Sequence, residues 1–174
     1  MKRIILLVML LAVGYVYGQE NYRVKNLEVN TKLSDFGPSY YQGDVIFASN
    51  GLEGNKSKKN WTNGQPYLEL YRGAKSTDGE IMDPKPFSDQ LNTKYHESNA
   101  VFTGDGKTVY FTRNNYFNNQ YGKDTMGWNN LKLFRADVDE QGAWSNIMPL
   151  PFNDDNYSVG HPALSPDGRT LYFT

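Results

Sequence analysis

Two histidines, His96 and His161, are the residues best able to do acid–base or metal chemistry in this chain. A metal pair or a general base would need a second ligand or a carboxylate cluster at matching spacing. Neither histidine has one, so each reads as a structural hydrogen-bonding residue at the start of a strand. Asp137-Val-Asp-Glu-Gln-Gly142 opens like a calcium loop, but its twelfth place is Met148 where a bidentate glutamate belongs. It reads as a hairpin connection, as does Lys75-Ser-Thr-Asp-Gly79. Thr103-Gly-Asp-Gly-Lys-Thr108 is superficially like a sialidase Asp-box but lacks the closing tryptophan. Ser165 is followed by Pro-Asp-Gly, a turn, and no Gly-x-Ser-x-Gly elbow, P-loop or dinucleotide fingerprint occurs. The expectation is a non-enzymatic protein with no catalytic residue, no cofactor and no metal.

Binding residues are sought instead on two long segments, 50–66 and 114–129. Both are rich in Gly, Asn and Lys, and each carries one tryptophan. Trp61, Lys58 and Lys59 on the first, and Tyr116, Tyr121 and Trp128 on the second, are the candidate partner-binding residues. Loops held by a rigid scaffold are where recognition concentrates. Aromatic and basic groups there suit a partner protein or a glycan.

The elements that must position these loops repeat. Tyr95-His-Glu-Ser-Asn-Ala-Val-Phe-Thr-Gly-Asp-Gly-Lys-Thr-Val-Tyr-Phe-Thr112 is echoed by Tyr157-Ser-Val-Gly-His-Pro-Ala-Leu-Ser-Pro-Asp-Gly-Arg-Thr-Leu-Tyr-Phe-Thr174, and Gly106 and Gly168 stand 62 positions apart. Tyr67-Leu-Glu-Leu-Tyr-Arg-Gly-Ala74 resembles Asn130-Leu-Lys-Leu-Phe-Arg-Ala-Asp137 at an offset of 63. A degenerate earlier copy runs from Gly37 to Ser49 with a shorter turn around Gln42-Gly-Asp44. Asp-Gly between alternating apolar runs is a strong hairpin signal. A fixed period signals one stacked supersecondary unit. Strands are expected at 98–103 and 108–112, and again from 67 and from 131 with period-two alternation. No helical period appears outside the leader.

Four short antiparallel strands per repeat predict an all-β fold, a β-propeller with units at about 34–94, 95–156 and 157–174. From residue 19 onward that makes about 2.5 blades, whereas propellers close with about 4–8. The expectation is an incomplete propeller, a fragment of a longer protein.

Residues 1–18 read as a secretory signal peptide. Lys2 and Arg3 precede fourteen apolar positions, and Val16 and Gly18 are placed for a cut before Gln19. Fourteen is short of the ~20 residues that span a bilayer, so no integral membrane span is expected after cleavage. Residues 19–33 form a lead-in strand or tether. The chain has 18 basic and 19 acidic residues, so removing Lys2 and Arg3 shifts its net charge from −1 to −3. Nucleic acid is therefore not an expected partner. The absence of cysteine excludes disulfides and thiolate chemistry. An exported, cysteine-free chain suits a bacterial periplasm.

Asn92-Thr-Lys-Tyr-His-Glu-Ser-Asn-Ala-Val-Phe-Thr103, Tyr110-Phe-Thr-Arg-Asn-Asn115, Leu150-Pro-Phe-Asn153 and Tyr157-Ser-Val-Gly-His-Pro-Ala-Leu-Ser-Pro-Asp-Gly168 carry a resemblance to a known family. Across residues 22–174 the chain resembles the TolB-type, WD-repeat-like propeller of OmpA-family envelope proteins. Relatives carry helical tetratricopeptide repeats before the propeller. A carboxypeptidase-regulatory-like fold and a peptidoglycan-gripping OmpA-like domain follow it, and some relatives are implicated in type IX secretion. This chain shows neither the helical repeats nor the OmpA-like domain. What the resemblance implies is the blade motif, a periplasmic or outer-membrane-associated scaffold, and envelope proteins as partners, type IX secretion components among them. Peptidoglycan would be reached only through a domain absent here. The alternatives are a substrate-gating propeller of a secreted hydrolase whose catalytic domain lies beyond residue 174, or a glycan-binding module using Trp61 and Trp128.

Overall fold

The computed structural model describes residues 24–52, 63–88, 91 and 93–174. The leader and the first tryptophan loop, with Lys58, Lys59 and Trp61, lie outside the described residues. Among the described residues every regular element is a strand.

Two four-stranded antiparallel meanders dominate. The first runs β1 (Asp35–Tyr41), β2 (Asp44–Ser49), β3 (Glu69–Lys75) and β4 (Ile81–Pro86), side by side in chain order. The second runs β5 (Glu97–Phe102) and β6 (Thr108–Asn114), then, after a small hairpin of β7 (Tyr116–Phe117) and β8 (Gln120–Tyr121), β9 (Leu131–Val138) and β10 (Trp144–Pro149). A two-stranded piece, β11 (Ala163–Leu164) and β12 (Leu171–Tyr172), follows. The described strands do not close into a ring. Of the expected lead-in at 19–33, the described residues 24–33 carry turns and no strand.

Local chemistry explains the hairpins. Gln42 and Gly43 both hold positive φ, 52° and 87°, which makes the two-residue connection of β1 to β2 a primed turn suited to twisted strands. In the longer β5–β6 turn, the Gly106 N–H donates to the Thr103 carbonyl at 2.8 Å, and Asp105 Oδ1 accepts from Thr103 Oγ1 and the Lys107 N–H. The β11–β12 turn repeats the pattern: Gly168 donates to the Ser165 carbonyl, and Asp167 Oδ1 accepts from Ser165 Oγ and the Arg169 N–H. The second Asp-Gly class of turn is likewise structural. Asp139 Oδ1 accepts from the Gln141 and Ala143 N–H groups.

The repeat is also written in the backbone. Gly37, Asn99 and His161 stand 62 positions apart in sequence and share left-handed φ values of 65°, 45° and 53°. In β1 and β5 these residues sit where the ladder slips by a bulge, between Phe36 and Ser39 and between Ser98 and Val101. Asp83 and Asn146, 63 apart, make the same excursion at 46° and 50° within the bulged pairings of β4 and β10. Bulges bend a strand and increase its twist.

The sheets stack face to face. Ile46, Ala48 and Leu70 of the first meander pack with Val109, Phe111, Phe134, Ala136 and Trp144 of the second in one buried cluster. Tyr41, Phe87 and Phe102 wedge between them, with ring centroids 4.4 Å apart for Tyr41–Phe102 and 5.4 Å for Phe87–Trp144. The opposite face of the first sheet (Val45, Phe47 and Tyr71) is covered in part by Val29 and Leu52. The opposite face of the second meets the third unit, where the His161 N–H donates to Thr112 Oγ1 at 2.9 Å. Phe152 stacks on Phe173 at 4.4 Å.

Gly37 brings β1 against Asn99 of β5. A Cβ built there would lie 2.6 Å from Asn99 Nδ2, and its φ is positive besides. Gly37→Ala therefore combines a collision with backbone strain and is expected to cost about 1–3 kcal/mol. Gly43→Ala carries the φ penalty alone, since a Cβ there meets nothing within 4 Å. Urea denaturation should rank the variants wild type, Gly43→Ala, Gly37→Ala in falling midpoint, with unchanged slope.

Candidate functional site

The second long connection is not a featureless loop. Asn118 and Asn119, at φ values of 49° and 62°, form a primed turn that pairs β7 with β8, Tyr116 opposite Tyr121. Asn129 ties the base of this excursion. Its Oδ1 accepts from the Asn115 N–H at 3.0 Å and from Asn114 Nδ2 at 2.8 Å, and its Nδ2 donates to the Asn115 and Gly122 carbonyls. Asp124 Oδ1 accepts from the Met126 and Trp128 N–H groups, which fixes the backbone of the tip. The Trp128 side of the loop is thus ordered by side-chain-to-backbone bonds while the residue itself stays 60% exposed.

Two of the sequence-selected residues meet. Tyr116 and Tyr121 both pack on Tyr95, at 4.9 and 4.6 Å between centroids, and Tyr95 touches Tyr67 edge-on at 5.8 Å. Tyr67 precedes β3 and Tyr95 precedes β5, so the cluster bridges both meanders at the loop-bearing end. Lys94 Nζ lies over the Tyr95 and Tyr116 rings at 5.6 and 5.5 Å. Burial, helped by the neighbouring phenols, raises the Tyr67 and Tyr121 hydroxyls above the usual tyrosine range. They remain neutral donors and acceptors at physiological pH. Among the described residues no ring contact joins Trp128 to this cluster, so the candidates divide into a tyrosine platform and a separate exposed indole.

His96 stands beneath the platform. Its Nδ1 accepts from the Leu68 N–H at 3.0 Å, and its ring meets Tyr67 edge-on at 4.7 Å. Burial pushes its pKa below the ordinary histidine value, which keeps the ring neutral with the proton on Nε2. His161 Nδ1 lies 3.0 Å from Thr174 Oγ1, in the third unit. The two histidines serve different strands. Among the described residues no group of three or more acidic or histidine side chains is placed to hold a metal.

Below the platform lies a feature that sequence inspection missed. Glu97, Arg113 and Lys132 face one another across β5, β6 and β9 and are 0, 4 and 2% exposed. The corresponding row of the first meander is Asp35, Ser49 and Glu69. The signal was available in the strand phase. Arg113 is two residues from Phe111, and Lys132 two from Phe134, so both are in step with the buried face. Lys132 Nζ donates to the Asp154 and Tyr157 carbonyls. Thr93 donates to Glu97 Oε1 from its N–H at 3.2 Å and its hydroxyl at 2.5 Å. Thr31 holds Asp35 in the same manner. Arg113 Nε stands 3.6 Å from Glu97 Oε1, and the guanidinium lies over Phe111 and Phe134 at 5.0 and 4.8 Å.

Burial dominates this pair. It raises Glu97 to about 8, against the opposing pull of the Thr93 hydrogen bonds and the Arg113 charge, and it lowers Arg113. An ion pair at 3.6 Å without a direct hydrogen bond does not offset the loss of water around the carboxylate.

No protein-family model, no curated protein and no solved structure matches the chain.

The folded state holds the Glu97 proton more tightly than the unfolded chain does. Stability is therefore highest below the usual glutamate value of 4.5 and falls as pH rises toward about 8. Thermal melts across that window should show a declining midpoint in the wild type. Glu97→Gln removes this slope while keeping the Thr93 bonds. A wild-type midpoint that rises across the same window would contradict the assignment.

Proposed function

We propose that the stacked meanders are successive blades of a β-propeller, and that the protein is an exported, non-enzymatic interaction scaffold of the bacterial envelope, as its resemblance to OmpA-family proteins with TolB-type repeats implies. One observation carries the reading: three consecutive repeat units place a left-handed residue at the same repeat position, inside the first strand of two units and two residues before that of the third. Units that share one backbone fault stack with one constant rotation, which is how radial and solenoid folds grow. Such stacking brings corresponding loops to one end, and there the tyrosine platform joins residues of two units.

The platform suits a protein partner. Tyrosine supplies large contact area at low entropy cost and is enriched at interfaces. Neutral phenols with one ammonium, Lys94, favour a partner surface of mixed apolar and acidic character. Envelope proteins are the partner class, and the periplasm or the periplasmic face of the outer membrane is the location.

The tests are cell fractionation and site-directed crosslinking. A tagged chain should lose residues 1–18 and appear in the envelope fraction. A photo-crosslinker at Tyr121 should trap one envelope protein, and Tyr95→Ala with Tyr116→Ala should reduce that product about tenfold, as loss of central aromatic anchors does. A cytosolic chain that retains its leader overturns the envelope assignment. Trapping that is indifferent to the tyrosine changes overturns the platform.

A further inference from the structure

A cleft of about 370 Å³ lies between the β7–β8 hairpin and the edge strand β10. Arg113 and Trp144 line it, and both side chains are almost wholly buried, at 4 and 1% exposure. Arg113 Nη2 and Trp144 Nε1 are nitrogen donors with no hydrogen-bond partner in the protein. Arg113 Nη1 donates to the Tyr116 carbonyl at 3.5 Å, and Nε is only ion-paired with Glu97, at 3.6 Å. The rim adds Asn118 and Asn119 from the hairpin turn. Asn119 Oδ1 is taken by the Tyr116 hydroxyl at 3.0 Å, which leaves its amide N–H groups as donors. Phe117 and Ile147 give apolar walls.

Native proteins satisfy nearly all buried donors, and a buried guanidinium is the costliest to leave unmet. Two such donors, buried on residues that line one cleft, describe a site for an acceptor-rich, anionic group. We propose that this cleft binds a small carboxylate ligand, with Arg113 Nη2 and Trp144 Nε1–H donating to it and the Asn118 and Asn119 amides closing over it. Arginine matches carboxylate geometry, and charge-assisted bonds of this kind are about twice as strong as neutral ones. The nearest anionic side chain, Glu97, is held toward its neutral form by burial and so competes weakly for the guanidinium. The volume suits a ligand of monosaccharide size. The carboxylate belongs either to an acidic sugar or to an amino-acid terminus, since both offer the same acceptor pair.

The Trp144 indole N–H gives a site-specific readout. In ¹⁵N-correlated spectra of the folded chain its cross-peak is assigned by Trp144→Phe, which keeps an aromatic ring in the core and removes the indole N–H. Glucuronate and N-acetylalanine are titrated beside their neutral counterparts, glucose and N-acetylalaninamide. At least one acid should move the Trp144 peak saturably, with a dissociation constant on the order of 1 mM, while both neutral compounds leave it in place. The acid that binds tighter identifies the source. Asn118→Gly with Asn119→Gly keeps the left-handed turn and should weaken binding about threefold to tenfold. Arg113→Gln should abolish it. The site is refuted if neither acid shifts the peak, or if the neutral compounds shift it equally. It is also refuted if the glycine pair, still well dispersed in the spectrum, binds as the wild type does.

Discussion

A four-stranded antiparallel sheet standing alone has two faces and no interior, so each meander must find a second layer for its apolar side chains. Here the second layer is the next copy of the same unit. The face carrying Ile46, Ala48 and Leu70 meets the face carrying Val109, Phe111 and Phe134, and Tyr41, Phe87, Phe102 and Trp144 fill the wedge between them. Close approach of β1 and β5 helps set the geometry of that wedge, with Gly37 against Asn99. A bulged, left-handed step in each first strand bends the strand where the neighbour must fit. The Pro-Phe element closing the first unit sends Phe87 into the same wedge. Aromatic content therefore serves the interface between units before it serves any surface.

The repeat also accounts for the position of the buried charges. The row lies on the equivalent face of both sheets, but that face is covered by Val29 and Leu52 in the first and packs against the neighbouring sheet in the second. In the first meander the row is Asp35, Ser49 and Glu69, and in the second it is Glu97, Arg113 and Lys132. The threonine four residues ahead of each acid, Thr31 or Thr93, anchors the first member in both cases. Substituting two cations into the second row leaves a guanidinium over two phenylalanine rings. Cation–π attraction and one carboxylate neighbour stabilise it in part. Its unmet N–H group is buried beside the hairpin cleft.

Much of this arrangement was readable from residue order, and the unreadable part has a physical cause. Asp-Gly and Gly-Asp pairs announced the hairpins because glycine is nearly obligatory at the left-handed turn positions it fills, as at Gly106 and Gly168. Period-two alternation located β3 and β9 for the same kind of reason. The recurring left-handed step was hidden, since Gly37, Asn99 and His161 hold one repeat position and share no chemical type. The hairpin of β7 and β8 was hidden too, because Asn118-Asn119 is a rarer primed turn than Asn-Gly and its strands are two residues long. Of the candidate residues, Tyr116 and Tyr121 were placed together by that hairpin, and Trp128 was left apart. Their partners Tyr67 and Tyr95 lie outside the long loops, so a search confined to loops passed over them.

Order in the connection between β6 and β9 follows from how little of it is loop. Asn129 and Asp124 convert the connection between β6 and β9 into a hydrogen-bonded frame, and the tyrosines tie that frame to the strand starts of both units. The platform and the cleft beneath it share the β7–β8 hairpin: Tyr116 presents its ring upward to Tyr95 and its carbonyl and hydroxyl to Arg113 and Asn119. A ligand drawn to Arg113 and a partner resting on Tyr121 therefore act on one two-residue turn. Any energetic coupling between them must pass through the pairing of Tyr116 with Tyr121, since that is the element both would hold in place.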